Sequence, residues 1–205
     1  MLNEIFIGVV FVIFAALLGW GFKVLHREKW QFAASFPSKR LTNGTWEGVN
    51  LTYYGLFNAL AHIFALSLLF ILTGAAGIGR IETMLALILL MAACIPSSRL
   101  LARWIEKKNY TFTVGGASFV GIIFTPAVIW AVFHFRDIPG GIPFAPLLAA
   151  MAEAYALGEG IGRLACISFG CCYGKPLANC PPVLQQLFGR FATVFRGDTK
   201  KIAYE

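Results

Sequence analysis

Apolar residues run through this chain in long blocks rather than at helical or strand spacing. Residues 5–22 are uncharged throughout, and further blocks follow at about 51–73, 84–98, 111–135 and 142–160. A bilayer core takes roughly 20 apolar residues per helical crossing. The pattern predicts about five transmembrane helices, the third and fifth short enough to need neighbours rather than lipid. Arg99 is expected at the end of the third. Beyond Gly160 no long uncharged run remains. Residues 183–195 are apolar but broken by Arg190, and read as interfacial or incomplete.

Composition agrees. The chain has 205 residues, 58% hydrophobic and only 13% charged, whereas soluble domains are roughly half apolar and a quarter charged. The expected class is an all-α, multi-pass integral membrane protein. Its net charge of +7 does not point to nucleic acid, because no separate soluble domain carries a basic face. Charge in loops between spans sets topology or meets anionic headgroups. The first block is too long for a signal-peptide core, and no small-x-small site precedes Lys23, so an uncleaved first span is expected.

The loop over residues 23–50 interleaves Trp30, Phe32, Phe36 and Trp46 with Lys, Arg, Asn and Gly, and Tyr53 and Tyr54 follow it. Amphipathic aromatics gather at headgroup level. The loop therefore reads as an interfacial belt or as a lid over a lipid site. Two loops are basic: Lys23, Arg27, Lys29, Lys39 and Arg40 in one, Arg99, Arg103, Lys107 and Lys108 in the other. Counted alone, they would place both loops in the cytoplasm.

Candidate chemistry concentrates at residues 158–176, where Glu159 and Arg163 stand among glycines and cysteines. Four residues apart, the two charges face each other if the helix continues. One reading is a self-neutralising pair. In the other, Arg163 receives a phosphate through its planar, bidentate donors, and Gly158, Gly160 and Gly162 clear side chains so that backbone N–H groups approach an anion. Glu153 lies on a different face. The segment from Gly115 to Gly121, with Gly116 and Ser118, reads as a packing motif or a lipid contact. His62 and His134 are lone residues better suited to hydrogen bonding than to metal. Cys94, Cys166, Cys171, Cys172 and Cys180 match no zinc spacing, and no metal or other cofactor is expected. In an oxidising compartment, Cys166 or Cys172 could bridge to Cys180.

These residues resemble the prolipoprotein diacylglyceryl transferase family. Gly162-Arg163-Leu164-Ala165-Cys166-Ile167 is similar to its Gly-Arg-Ile-Gly-Asn-Phe signature. Gly170-Cys171-Cys172-Tyr173-Gly174 is similar to the continuation in a divergent branch, and Gly115 to Gly121 to a Gly-Gly-Met-Ser-Phe-His-Gly-Gly segment. Tyr54-Gly55-Leu56 and Ser98-Arg99-Leu100 resemble two further motifs, in order, over about residues 50–190. The resemblance implies a domain over 51–205, preceded at 1–50 by an extra helix and the aromatic loop. It implies transfer of a diacylglyceryl group from phosphatidylglycerol to a cysteine thiol, in the bacterial inner membrane, with glycerol phosphate released.

By that resemblance Arg163 and Glu159 are the catalytic candidates. Gly115, Gly116, Ser118, Gly160, Gly162, Tyr173, Lys175 and Arg99 are the substrate-binding ones. Implied partners are an anionic phospholipid and a lipoprotein precursor. The family orientation would put the Arg163 segment and the aromatic loop outside, and we adopt it because Trp and Tyr explain that loop as interfacial. Val120 stands where the family has histidine, and the signature's asparagines fall on Cys166 and Phe169. The later spans and second arginine of the family are not found within these 205 residues. The alternative is a non-catalytic, lipid-binding relative serving as an accessory subunit of a larger membrane assembly. Those spans and that arginine beyond Glu205 would favour the enzyme, and a stop there the subunit.

Overall fold

The computed structural model describes residues 2–27, 31–105, 107, 114–136, 141–171 and 175–196. Five long helices follow the five expected blocks: α1 (Leu2–Val24), α2 (Tyr53–Ala75), α3 (Arg80–Trp104), α4 (Val114–Phe135) and α5 (Phe144–Phe169). The shortest has 22 residues and the longest 26. At about 1.5 Å per residue these reach roughly 33–39 Å, against a hydrocarbon core of about 30 Å. α2, α3 and Gly115–Phe135 of α4 are long and apolar enough to cross a membrane, and α1 holds a shorter apolar stretch, Gly8–Val24. α5 differs in carrying Glu153, Glu159 and Arg163. Two expectations shift: α3 extends beyond the short block, with Arg99 inside it, and α5 runs nine residues past Gly160.

The aromatic loop contains a structure that its sequence reading lacked. Two antiparallel strands, β1 (Gln31–Arg40) and β2 (Trp46–Thr52), pair with Arg40 opposite Trp46 and Lys39 opposite Glu47. Asn43 closes the turn by accepting from Thr45 N–H at 3.0 Å and from Thr45 Oγ1 at 2.6 Å. Gly44 takes φ +83, a conformation that costs glycine nothing. The Asn43-Gly44 pair is a strong hairpin signal, overlooked beside the aromatic pattern. β2 passes directly into α2, where Thr52 Oγ1 caps the helix by accepting from Gly55 N–H at 3.0 Å. Trp30 lies outside the described residues.

The chain divides into two compact units. The first comprises Met1–Phe64 and Ala156–Glu205. Its core joins Leu25 to Phe57 and Ala61 of α2 and to Ile161, Leu164 and Ala165 of α5. Gly21 permits the approach of α1, since a Cβ there would fall onto the Leu164 side chain. Tyr54 packs on Phe169 with ring centroids 5.4 Å apart, bringing the start of α2 to the end of α5.

The second unit is Ala65–Tyr155. One cluster gathers Ile78, Ala86, Ile129, Val132, Phe133 and Leu147, another Leu69, Ala150 and Ala154. Small residues recur at these buried contacts while Ile71, Ile88 and Ile122 face outward, the distribution expected where lipid solvates the apolar exterior. Pro96 and Pro126 interrupt the helical hydrogen bonds of α3 and α4. Nearby hydroxyls bond the adjacent backbone: Ser97 Oγ donates to Ala93 O at 2.7 Å and Thr125 Oγ1 to Gly121 O at 2.6 Å. Glu82, near the start of α3, is buried and accepts Arg136 Nη2 at 3.2 Å and Nε at 3.3 Å, just past α4.

Candidate functional site

The residues singled out around Arg163 lie on a continuous helix, which corrects the expected glycine-rich turn. Gly158, Gly160 and Gly162 all fall inside α5. In an α-helix each N–H is committed to the carbonyl four residues back, so these amides cannot cradle an anion. The glycines act differently: a Cβ at Gly160 or Gly162 would meet no atom within 4 Å. Being two apart, they face different sides of the helix; Gly160, three residues before Arg163, leaves the space beside that arginine clear. α5 stops at Gly170, whose φ of +72 and N–H bond to Cys166 O at 2.7 Å form a left-handed cap.

Helix continuity brings the two charges together. Arg163 Nη2 lies 2.6 Å from Glu159 Oε1, with side chains 53% and 35% exposed respectively. Glu159 occupies one part of the guanidinium fork, and more than half of the arginine surface remains open to an anion. Six residues separate Arg163 from the end of α5, about 9 Å along the axis. Glu153 is exposed elsewhere on the helix.

Lys175 sits past the cap of α5 and lines a groove of about 380 Å³ with Leu184, Phe188, Phe191 and Phe195. Tyr173 and Cys172 lie outside the described residues. Cys94, Cys166, Cys171 and Cys180 form no disulfide. Because both contemplated bridges needed Cys180, neither forms; the Cys180 thiol instead donates to Pro176 O at 3.5 Å.

In the second unit, Gly115, Gly116 and Ser118 occupy the first turns of α4. Ser118 Oγ and the Tyr155 hydroxyl are 2.9 Å apart, a polar tie between α4 and α5. Tyr155 was missed by sequence reasoning; its signal was a hydroxyl two residues from Glu153 in a mostly apolar block. A Cβ at Gly121 would lie 3.4 Å from Cys94 Sγ, so this end of the segment packs α4 against α3. Arg99 is exposed on α3. His62 bonds Asn58 O at 2.7 Å, and His134 stacks on Trp130 at 4.8 Å.

Long apolar helices define a multi-pass membrane protein, with a half-exposed ion pair near the end of one helix. The model of the prolipoprotein diacylglyceryl transferase family matches residues 45–197, and the chain belongs to that family. No curated protein and no solved structure matches it. Its general role is thus diacylglyceryl-transferase-like, in a family that acts on phospholipid and lipoprotein-precursor substrates.

Proposed function

We propose that this chain transfers the diacylglyceryl group of phosphatidylglycerol to a cysteine thiol of a lipoprotein precursor, in a bacterial inner membrane. The observation that carries the reading is the Arg163 guanidinium, held by Glu159 and more than half open, with clear space at Gly160 one turn before it. In the transfer, the thiolate sulfur bonds the terminal glyceryl carbon as that carbon's bond to the phosphate oxygen breaks. Glycerol phosphate leaves with the electron pair. The phosphate gains negative charge in this step, and a positioned guanidinium stabilises the product side more than the diester. Glu159 orients the guanidinium and is the acceptor for the thiol proton, Val120 offering none. Lys175 extends the phosphate-binding surface beyond α5, and Tyr173 is a further substrate-binding candidate by sequence. In the second unit Gly115, Gly116, Ser118 and Arg99 make lipid contacts of their own.

The accessory-subunit reading has one observation in its favour: Glu159 already satisfies part of Arg163. The two separate in one assay. Purified protein is incubated with labelled phosphatidylglycerol and a cysteine-containing lipoprotein signal peptide. Release of glycerol phosphate that disappears in Arg163→Ala supports the transferase. Lipid that co-purifies without any release supports the subunit.

A further inference from the structure

Residues 175–196 carry Lys175, Arg190 and Arg196 and no acidic residue. Within them lies α6 (Pro182–Phe188), every residue of which is exposed. Its polar side is used locally: Gln185 Nε2 donates to Cys180 O at 2.7 Å and to Ala178 O at 3.3 Å. Val183, Leu184, Leu187 and Phe188, at helical spacing, are left facing outward. Phe191 follows at 81% exposure. So much accessible apolar surface on a short segment calls for a covering partner.

The position of the segment identifies that partner. It begins five residues after Gly170, the cap of α5. At its far end the Arg196 N–H donates to His26 O at 3.0 Å, two residues beyond α1. Both tethers are ends of helices in the same unit, and the apolar stretch Gly8–Val24 of α1 stops two residues before one of them. An apolar surface edged only by cations matches a membrane with negative headgroups, since binding there combines apolar burial with attraction to anionic lipid.

We propose that residues 175–196 form an interfacial element that beds into the bilayer surface and selects anionic phospholipid. Val183, Leu187, Phe188 and Phe191 enter the acyl boundary, and Arg190 and Arg196 meet headgroup phosphates. This contact is independent of Arg163 and of any transfer reaction.

The test is hydrogen–deuterium exchange of residues 182–196 in the full chain, in nanodiscs of phosphatidylcholine or of phosphatidylserine. The second lipid is anionic but is not the proposed donor. Exchange should be slower in phosphatidylserine, and 1 M salt should remove the difference by screening. Arg190→Ala should speed exchange about fivefold and Arg190→Ala with Arg196→Ala about 25-fold, the equivalent of roughly 1 kcal/mol per cation. Phe191→Ser should speed it in both lipids, and Arg163→Ala should leave it unchanged. Equal exchange in the two lipids, or arginine variants indistinguishable from the parent, would overturn the proposal.

Discussion

Among the described residues, each unit of this protein has a Glu–Arg pair, and the two are built in opposite ways. Glu159 and Arg163 are neighbours on one helix, joined by the i, i+4 geometry that any helix supplies. Glu82 and Arg136 are 54 residues apart and meet only because α3 and α4 pack together. The two arginines are nearly equally exposed, at 53% and 48%, and it is the carboxylates that differ, 35% for Glu159 and 11% for Glu82. Glu159 meets one guanidinium nitrogen, whereas Glu82 accepts from two, Nε and Nη2, and so ties α3 to the end of α4. The same two residue types make a local pair on one helix wall in one unit and a tertiary tie in the other.

The largest test of that contrast is turnover. Arg163→Lys keeps the charge but loses the planar fork, and is expected to lower glycerol phosphate release on the order of 10²-fold, the scale of a lost transition-state donor. Arg136→Lys, measured in the same assay, should stay within a few-fold of the parent. Equal losses in both variants would erase the proposed difference between the pairs.

Packing comes next in size. Gly21→Val would push a branched side chain into Leu164, and overpacking of this kind costs about 1–3 kcal/mol. Thermal unfolding in detergent should show a lower midpoint, while Gly74→Val, where no atom lies within 4 Å of a Cβ, should change little. Arg136→Ala strands a sheltered carboxylate and should cost on the order of 1 kcal/mol, discounted because the arginine itself is half exposed. Glu82→Gln with Arg136→Ala should restore part of that loss in the same melt. The smallest effect belongs to the Ser118–Tyr155 tie. A double-mutant cycle with Ser118→Ala and Tyr155→Phe should return about 0.6 kcal/mol, typical of a hydrogen bond between membrane helices.

Legibility in the sequence followed the range of each interaction. The helical blocks and the Glu159–Arg163 spacing could be read because a helix is a local repeat. Asn43-Gly44 was equally local, yet the hairpin went unread because aromatic composition dominated that loop. Gly158, Gly160 and Gly162 misled for a physical reason. Glycine lowers helix propensity by about 1 kcal/mol per residue in water, but non-local packing of Ile161, Leu164 and Ala165 overrides that preference here. The third block looked short because Glu82 and Arg99 bound its uncharged core, although the helix continues through both.

By itself, the sequence settled the solvent of this protein and the number of its long helices, because hydrophobicity and helical hydrogen bonding act on contiguous residues. It also placed Glu159 within reach of Arg163. Tertiary structure decided that the glycine run is helix wall rather than anion-binding turn, that Tyr155 meets Ser118, and that Glu82 meets Arg136. Those outcomes depend on which helix faces close together. That choice is made by small residues and side-chain shape across tens of positions, where no local period records it.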